Sequence, residues 1–178
     1  DQRPGEGMPA RKGKPGNKTV RSWCIDSVLY NPYTPEERDF YTTDYFTKYA
    51  VNWLEEYKNE EKPFFLYLAY TATHDPLMAW PVDIAKYKGK YDAGYESIRK
   101  ARYKKQLDIG LIDETYILSN ATYQNWDELD DSVRIAEIRK MEVYAAMIDR
   151  LDQNIGKVLA KLKEIGKDEN TLILFVSD

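Results

Sequence analysis

Two polar residues that follow apolar runs are the strongest candidates for chemistry in this sequence. His74 follows the run PFFLYLAY within YTATHDP and is the only histidine of the chain, and Asp178 follows TLILFVS. An imidazole can gain or lose a proton near neutral pH, so it can donate to a leaving group or contact an anionic oxygen. A carboxylate is a ligand for hard cations such as Ca²⁺ or Mg²⁺. His74 is therefore the candidate acid and Asp178 the candidate metal ligand; the alternatives are a structural histidine and a helix-capping aspartate.

Each candidate follows a run that predicts a buried strand. Residues 63–70 and 171–177 are almost continuously apolar, as is typical of parallel strands covered on both faces. Pro76 prevents the first run from continuing as a strand. In open α/β sheets, ligands bind at the carboxyl ends of the strands. His74 and Asp178 would then meet at the same edge of a parallel sheet.

Apolar residues at helical spacing predict a helix before each of these runs. The first helix follows Thr43 as a plausible N-cap, has Asp44 in its first turn and continues to about Tyr57. The second covers about residues 131–165, with Gly166 as its C-terminal cap. Because the order helix, turn, strand occurs twice, the sequence predicts an α/β fold in which helices flank a mostly parallel sheet.

The other segments predict how the chain is organised. Residues 1–38 are loop-rich, with a weak strand near 22–29, whereas residues 77–126 have Pro, Gly and Tyr punctuation and one helix at about 94–107. The second segment is interpreted as an excursion from the sheet that could line a site. Too few strands are present for a complete sheet, so we expect an internal fragment of a larger protein; a small complete α/β domain is the alternative.

The predicted helix of the excursion carries a basic cluster. Its members are Arg99, Lys100, Arg102, Lys104 and Lys105. Such a cluster could attract an anionic substrate, but a solvated helix face is the more common explanation and is preferred here.

Composition and charge exclude several functions. The chain has 178 residues, 43% of them apolar, which is enough for one substantial core. A net charge of −4 with both signs interspersed argues against a nucleic-acid partner, and no apolar stretch has the roughly 20 residues of a membrane span. The single cysteine, Cys24, excludes an internal disulfide and is expected to be a small packed hydrophobic residue.

Three separated blocks resemble the arylsulfatase branch of the type I sulfatases. They are residues 40–77, beginning FYTTDYFTKYA and ending THDPL, residues 86–113, beginning KYKGKYDAGYES, and residues 139–178, beginning RKMEVYAAMIDR. The resemblance extends from about Asp39 to Asp178 and implies the middle of a catalytic domain with an alkaline-phosphatase-like α/β fold. It also implies hydrolysis of sulfate esters, of small molecules or carbohydrates, with a formylglycine made from Cys or Ser and a bound Ca²⁺, and a periplasmic or extracellular location.

The resemblance assigns roles to two residues of this chain. His74 matches the family's histidine that contacts the substrate sulfate and assists the leaving oxygen, and Asp178 matches the first residue of the metal motif Ser-Asp-Asn-Gly. Thr73 stands where the family pattern Ala-Pro-His-x-Pro has its first proline, and Pro76 is kept. The formylglycine motif, Cys or Ser-x-Pro-x-Arg, is absent because Cys24 is followed by Ile-Asp-Ser-Val. The isolated chain is therefore expected to be inactive and to hold no tightly bound metal.

Two other functions stay open on the sequence. A hydrolase of the alkaline-phosphatase superfamily that acts on a phosphate ester or a phosphonate would have the same metal-bearing strand end. A non-catalytic, aromatic-rich binding module would use His74 as a structural residue. The sequence indicates neither the particular sulfate ester nor the oligomeric state.

Overall fold

The computed structural model describes residues 23–30 and 33–177. Within them the chain forms the helices α1 (Thr42–Glu56), α2 (Pro81–Ala85), α3 (Gly94–Asp108) and α4 (Asp131–Glu164), and the strands β1 (Trp23–Ile25) and β2 (Val28–Tyr30). Single 3₁₀ turns lie at Trp126–Glu128 and Asp168–Asn170. The described residues divide into two compact units, one formed by those up to Met78 together with those from Met147 onward, and one by Ala79–Ala146.

The core of the first unit lies between α1 and the second half of α4. Ala50 and Leu54 of α1 pack with Val158 and Leu162 of α4, and each pair is four residues apart, so it lies on one helix face. Phe64, Leu66 and Leu68 pack against this core from the extended run that follows α1. Alternate residues of that run therefore cover the two helices.

The end of α4 agrees with the sequence prediction. The helix ends at Glu164, and Gly166 adopts φ 68°, a left-handed conformation that glycine tolerates best. The Lys167 amide donates to the Leu162 carbonyl at 3.0 Å, which completes the Schellman pattern at a helix C-terminus. The predicted helix over 131–165 and its glycine cap are confirmed.

The start of α1 differs from the prediction. Its N-cap is Tyr41, which is extended and makes no side-chain cap, so the prediction of Thr43 as the N-cap was wrong. Phe40 and Tyr41 are only 1% and 4% exposed. Their burial fixes where the chain enters the core, and it outweighs a capping preference of about 1 kcal/mol.

The predicted parallel sheet is absent from the part of the chain that the structure describes. Residues 63–70 and 171–177 are extended but belong to no sheet, and the hairpin of β1 and β2 is the sheet formed. Phe65 is 87% and Phe175 73% exposed, so the apolar faces that suggested burial are uncovered. A ladder requires neighbouring strands, and the described residues supply none to these two runs. The α/β prediction is therefore correct for the helices and wrong for the sheet within these residues.

The weak strand predicted near 22–29 is a hairpin in the described residues. β1 pairs antiparallel with β2, and Cys24 lies opposite Leu29. The chain reverses at Asp26, whose φ of 54° lies in the left-handed region that aspartate tolerates. Cys24 is exposed and its thiol donates to the Asp26 carbonyl, so the interpretation of Cys24 as a packed residue was wrong.

The second unit contains α2, α3 and the first half of α4. The helix predicted at 94–107 is confirmed as α3, and residues 77–126 contain no strand, as predicted. Tyr95 of α3 donates a hydrogen bond to Glu137 of α4 at 2.8 Å, and the Gly89 amide donates to Glu142 at 3.0 Å. The excursion over residues 77–126 is thus hydrogen-bonded to α4. The proposed division at residues 38 and 39 stays a prediction.

No helix in the described ranges is both long and apolar enough to cross a membrane.

Candidate functional site

His74 lies on an exposed turn that follows the extended run 63–70. Its backbone amide donates to the Thr71 carbonyl at 3.0 Å, and its Nδ1 lies 2.7 Å from the Asp75 carbonyl oxygen. Because a carbonyl oxygen can only accept, Nδ1 must carry the hydrogen of that bond. The remaining nitrogen, Nε2, accepts a hydrogen bond in the neutral ring and donates one in the protonated ring. Nε2 is therefore the atom through which His74 could exchange a proton with a bound molecule.

Helix α1 holds the chain on both sides of this turn. The Tyr41 hydroxyl donates to the Met78 carbonyl at 2.8 Å, and the Tyr70 hydroxyl lies 2.7 Å from the Thr47 hydroxyl. Thr47 gives its own hydrogen to the Thr43 carbonyl at 3.1 Å, so Tyr70 must be the donor to Thr47. Burial raises the pKa of Tyr70 above its ordinary value, which already lies well above neutral pH, so its hydroxyl carries the proton that it donates.

The first turn of α1 is fastened to α4 by a charged network. Arg150 binds both carboxylate oxygens of Asp44, with Nε at 2.7 Å from Oδ1 and Nη2 at 2.8 Å from Oδ2. Asn154, which is fully buried, donates to Asp44 Oδ1 at 2.7 Å. Such a two-point guanidinium–carboxylate contact fixes direction as well as distance. The start of α1, which contacts the chain on both sides of the His74 turn, is therefore held to α4 by contacts that the sequence did not reveal.

The second predicted site residue, Asp178, lies outside the described residues, so its placement near His74 stays a prediction. Among the residues that are described, no group of three His, Cys, Asp or Glu side chains could hold a metal ion. Those residues do not by themselves fit a calcium site, which needs about 6 to 8 oxygen ligands.

Three of the five residues of the basic cluster on α3 pair with acidic residues of the same helix. Arg99 and Lys100 lie 3.5 Å and 3.6 Å from Glu96, and Lys104 lies 2.9 Å from Asp108. Pairs three and four residues apart are the usual arrangement on a solvated helix surface. The contacts favour the solvated-face interpretation over an anion site.

The positioning contacts of Tyr41, Thr47 and Tyr70 were missed from the sequence. The Tyr41 hydroxyl binds the Met78 carbonyl, which is 37 residues away in the chain. The Tyr70 hydroxyl binds the Thr47 side chain, which is 23 residues away. The one available signal was a tyrosine that ends an otherwise apolar run, since a buried phenol requires a partner for its hydroxyl. The same reasoning would have pointed to Asp44, a charged residue beside a buried helix face.

Comparison with known proteins places the sequence in a family. The family model for sulfatases matches residues 10–178. An uncharacterized sulfatase of Schizosaccharomyces pombe is 42% identical over 146 residues, covering 79% of this chain and 26% of the relative. The arylsulfatase of Klebsiella aerogenes is 34% identical over 141 residues, covering 79% of this chain and 30% of the relative.

A more distant relative has a broader name. The multifunctional alkaline phosphatase superfamily protein PehA of Trinickia caryophylli is 27% identical over 150 residues, which cover 79% of this chain and 27% of that protein. The chain thus spans less than a third of the length of each of these three relatives. The residues that the family model matches include the His74 turn and the residues that support it. The chain belongs to the sulfatase family.

Proposed function

We propose that the protein containing this chain hydrolyses sulfate esters and that His74 gives a proton to the leaving oxygen. The observation that carries this proposal is the exposure and hydrogen bonding of the His74 imidazole. His74 is exposed at the carboxyl end of the 63–70 run, and its Nδ1 is engaged by the Asp75 carbonyl, which leaves Nε2 for substrate. It occurs in a chain that the sulfatase family model matches over residues 10–178.

The proposed step uses a protonated imidazole. As the bond between sulfur and the ester oxygen breaks, negative charge develops on that oxygen, and a proton from Nε2 neutralises it. The hydrogen bond from Nδ1 to the Asp75 carbonyl stays in place in both protonation states, so the ring keeps its orientation while the proton moves. Proton donation of this kind typically contributes about 10²- to 10⁴-fold in rate.

The nucleophile and the metal are proposed to come from the whole protein. A formylglycine would be the nucleophile, and Ca²⁺, with Asp178 as one of its oxygen ligands, would place positive charge beside the sulfate when bound. The formylglycine motif does not occur in this sequence. We therefore expect the 178-residue chain alone to be inactive.

The whole protein is proposed to complete the sheet that this chain begins. Residues 63–70 and 171–177 would become parallel strands, with neighbours from the rest of the polypeptide covering side chains such as Phe65 and Phe175. Their carboxyl ends would then lie at one edge, which brings His74 and Asp178 together. A periplasmic or extracellular location is proposed on the family resemblance.

A second candidate is hydrolysis of phosphate esters or phosphonates. The similarity to the multifunctional alkaline phosphatase superfamily protein favours keeping it, although the identity of 27% is lower than that to the two sulfatases. A non-catalytic binding module is the third possibility, in which His74 would be structural. The substrate and the effect of replacing His74 separate the three.

The test compares substrates and variants in the full-length protein. Hydrolysis of phenyl sulfate, phenyl phosphate and the phosphonate monoester phenyl phenylphosphonate, which all release phenol, is measured for the wild type, for His74→Ala and for Glu164→Gln, an exposed residue at the end of α4. We expect the sulfate ester to be preferred, and His74→Ala to lower kcat/KM by about 10²-fold or more while Glu164→Gln has no effect. Preference for a phosphorus ester would support the second candidate, and full activity of His74→Ala would contradict the role of the imidazole.

A further inference from the structure

Two tyrosines hold the turn that carries His74, one on each side. Tyr70 lies four residues before His74 and Met78, the residue that Tyr41 binds, lies four residues after it. Both holding points are on the beginning of α1: Tyr41 is its N-cap and Thr47, the partner of Tyr70, lies in its second turn. A single helix end therefore determines where both ends of the turn are placed.

The turn needs this external support because His74 has little of its own. Within the described residues, His74 hydrogen-bonds to Thr71 and Asp75, both members of the same turn. The imidazole is also exposed, so no surrounding core fixes its position. In contrast, Tyr41 and Thr47 are 4% and 2% exposed and lie in the buried part of the unit. The position of the ring is thus set by the two ends of its turn.

We propose that Tyr41 and Tyr70 are positioning residues, whose hydroxyl groups hold the His74 turn in the geometry that the reaction requires. This inference rests on the proposed function, because it assigns these residues to the proton-donating step. Neither hydroxyl touches substrate in this proposal. A displacement of about 1 Å at a reacting group can lower a rate by about 10²-fold, so two hydrogen bonds in the supporting shell are sufficient to matter.

The test removes single hydroxyl groups from the full-length protein. Tyr41→Phe and Tyr70→Phe each delete one hydrogen bond with little change of shape, and Tyr103→Phe is the matched control. The Tyr103 hydroxyl also donates to a backbone carbonyl, that of Tyr116, but it lies in the other unit, on α3. Thr47→Val removes the acceptor of Tyr70, and Thr47→Ser keeps it.

The readout is the dependence of kcat on the leaving group. Phenyl sulfate releases a poor leaving group that needs a proton, whereas 4-nitrophenyl sulfate releases one that departs largely without it. We expect Tyr41→Phe, Tyr70→Phe and Thr47→Val to lower kcat for phenyl sulfate by about tenfold or more, and kcat for 4-nitrophenyl sulfate by much less. KM should change little, and Thr47→Ser and Tyr103→Phe should resemble the wild type.

Double variants connect the effect to the imidazole. In a His74→Ala background, Tyr70→Phe or Tyr41→Phe should lower kcat no further, because residues that act through one group are not additive. Equal losses for both substrates that persist without His74 would overturn the positioning role and show a general structural one. Wild-type rates for Thr47→Val would also overturn the positioning role. This variant keeps the test possible if a tyrosine variant fails to fold.

The two proposals fail in different ways. If His74→Ala is impaired while the tyrosine and Thr47 variants keep the rate with phenyl sulfate, the positioning role is wrong and the proposed function stands. If the wild type hydrolyses no sulfate ester, or His74→Ala keeps full activity, the proposed function is wrong and the positioning role falls with it.

Discussion

Replacing Asp44 by asparagine tests the network that joins α1 to α4. Asp44 accepts at least three hydrogen bonds, including two on Oδ1 from Arg150 and Asn154 and one on Oδ2 from Arg150. An asparagine has the same shape but replaces one oxygen by an NH₂ group, which can only donate. Whichever way the amide is turned, that group faces at least one donor of Arg150 or Asn154. The variant therefore cannot satisfy the network.

The expected loss follows from these contacts. At least one hydrogen bond to a charged group is broken, and the favourable placement of a carboxylate in the first turn of α1 is lost, together worth about 2–4 kcal/mol in the free energy of unfolding. The side chains of Asp44 and Arg150 are only 20% and 22% exposed, so water can replace little of what is lost. The m-value for urea is about 1–3 kcal/mol/M for small proteins and rises with size, so in the full-length protein the urea midpoint should fall by about 0.5 M or more.

Urea unfolding of the full-length protein, followed by tryptophan fluorescence, measures this midpoint. Asp108→Asn is the matched control, because Asp108 is paired with Lys104 at 2.9 Å but the two side chains are 53% and 74% exposed. An exposed pair of this kind contributes little, so its variant should unfold at nearly the wild-type urea concentration. If Asp44→Asn unfolds at the same urea concentration as Asp108→Asn, the reasoning about the buried network is wrong.

Two further predictions concern the second unit. Gly94 and Gly110 both have positive φ, at 79° and 69°, but a Cβ on Gly94 would lie 2.5 Å from Cγ of Trp126 whereas one on Gly110 would meet nothing within 4 Å. Gly94→Ala should therefore lower the thermal midpoint clearly more than Gly110→Ala, and equal effects would show that Trp126 yields at no cost. Burial, with the hydrogen bond to Glu137, raises the pKa of Tyr95 to about 12. The unfolded chain loses the Tyr95 proton near the ordinary tyrosine pKa, whereas the native state keeps it, so stability should decline as the pH rises from the ordinary pKa to the raised one. Tyr95→Phe should make this decline in the urea midpoint shallower. An unchanged pH dependence would contradict the assignment.

The helices were predictable because their signals are local. The apolar stripe of α4 repeats over 34 residues, and Gly166 follows the end of the helix closely. Both the helix and its end are therefore indicated by residues that are close together in the sequence. The start of α1 was mistaken for the opposite reason. Thr43 has the correct residue type for an N-cap, but the burial of Phe40 and Tyr41 decides where the helix begins. A local preference of about 1 kcal/mol yields to a tertiary contact of larger value.

Residues 63–70 and 171–177 are not sufficient to predict whether a sheet forms. An apolar run indicates that a segment would be stable if other residues covered both of its faces. It does not indicate whether those residues are present. Phe64, Leu66 and Leu68 find theirs on α1 and α4, while Phe65 and Tyr67 on the opposite face remain exposed. The sequence thus predicted one covered face correctly. Within the described residues nothing covers the second face.

The candidate site shows the same division between chemistry and support. His74 was found because an imidazole at the end of an apolar run is an unusual residue type in an informative place, and its identity alone suggested proton transfer. Tyr41 and Tyr70 are two among 15 tyrosines, and the one local signal, a tyrosine at the end of an apolar run, applies to Tyr70 alone. What marks them is that their hydroxyl groups lie on both sides of one turn and bind either the start of one helix or the chain beyond the turn. Sequence patterns identify the group that can react, whereas the residues that decide whether it is correctly placed become visible only when distant parts of the chain are brought together. A screen of aromatic variants across this chain should therefore find rate effects that depend on the leaving group at Tyr41 and Tyr70, and effects on stability alone at Tyr95 and Tyr103.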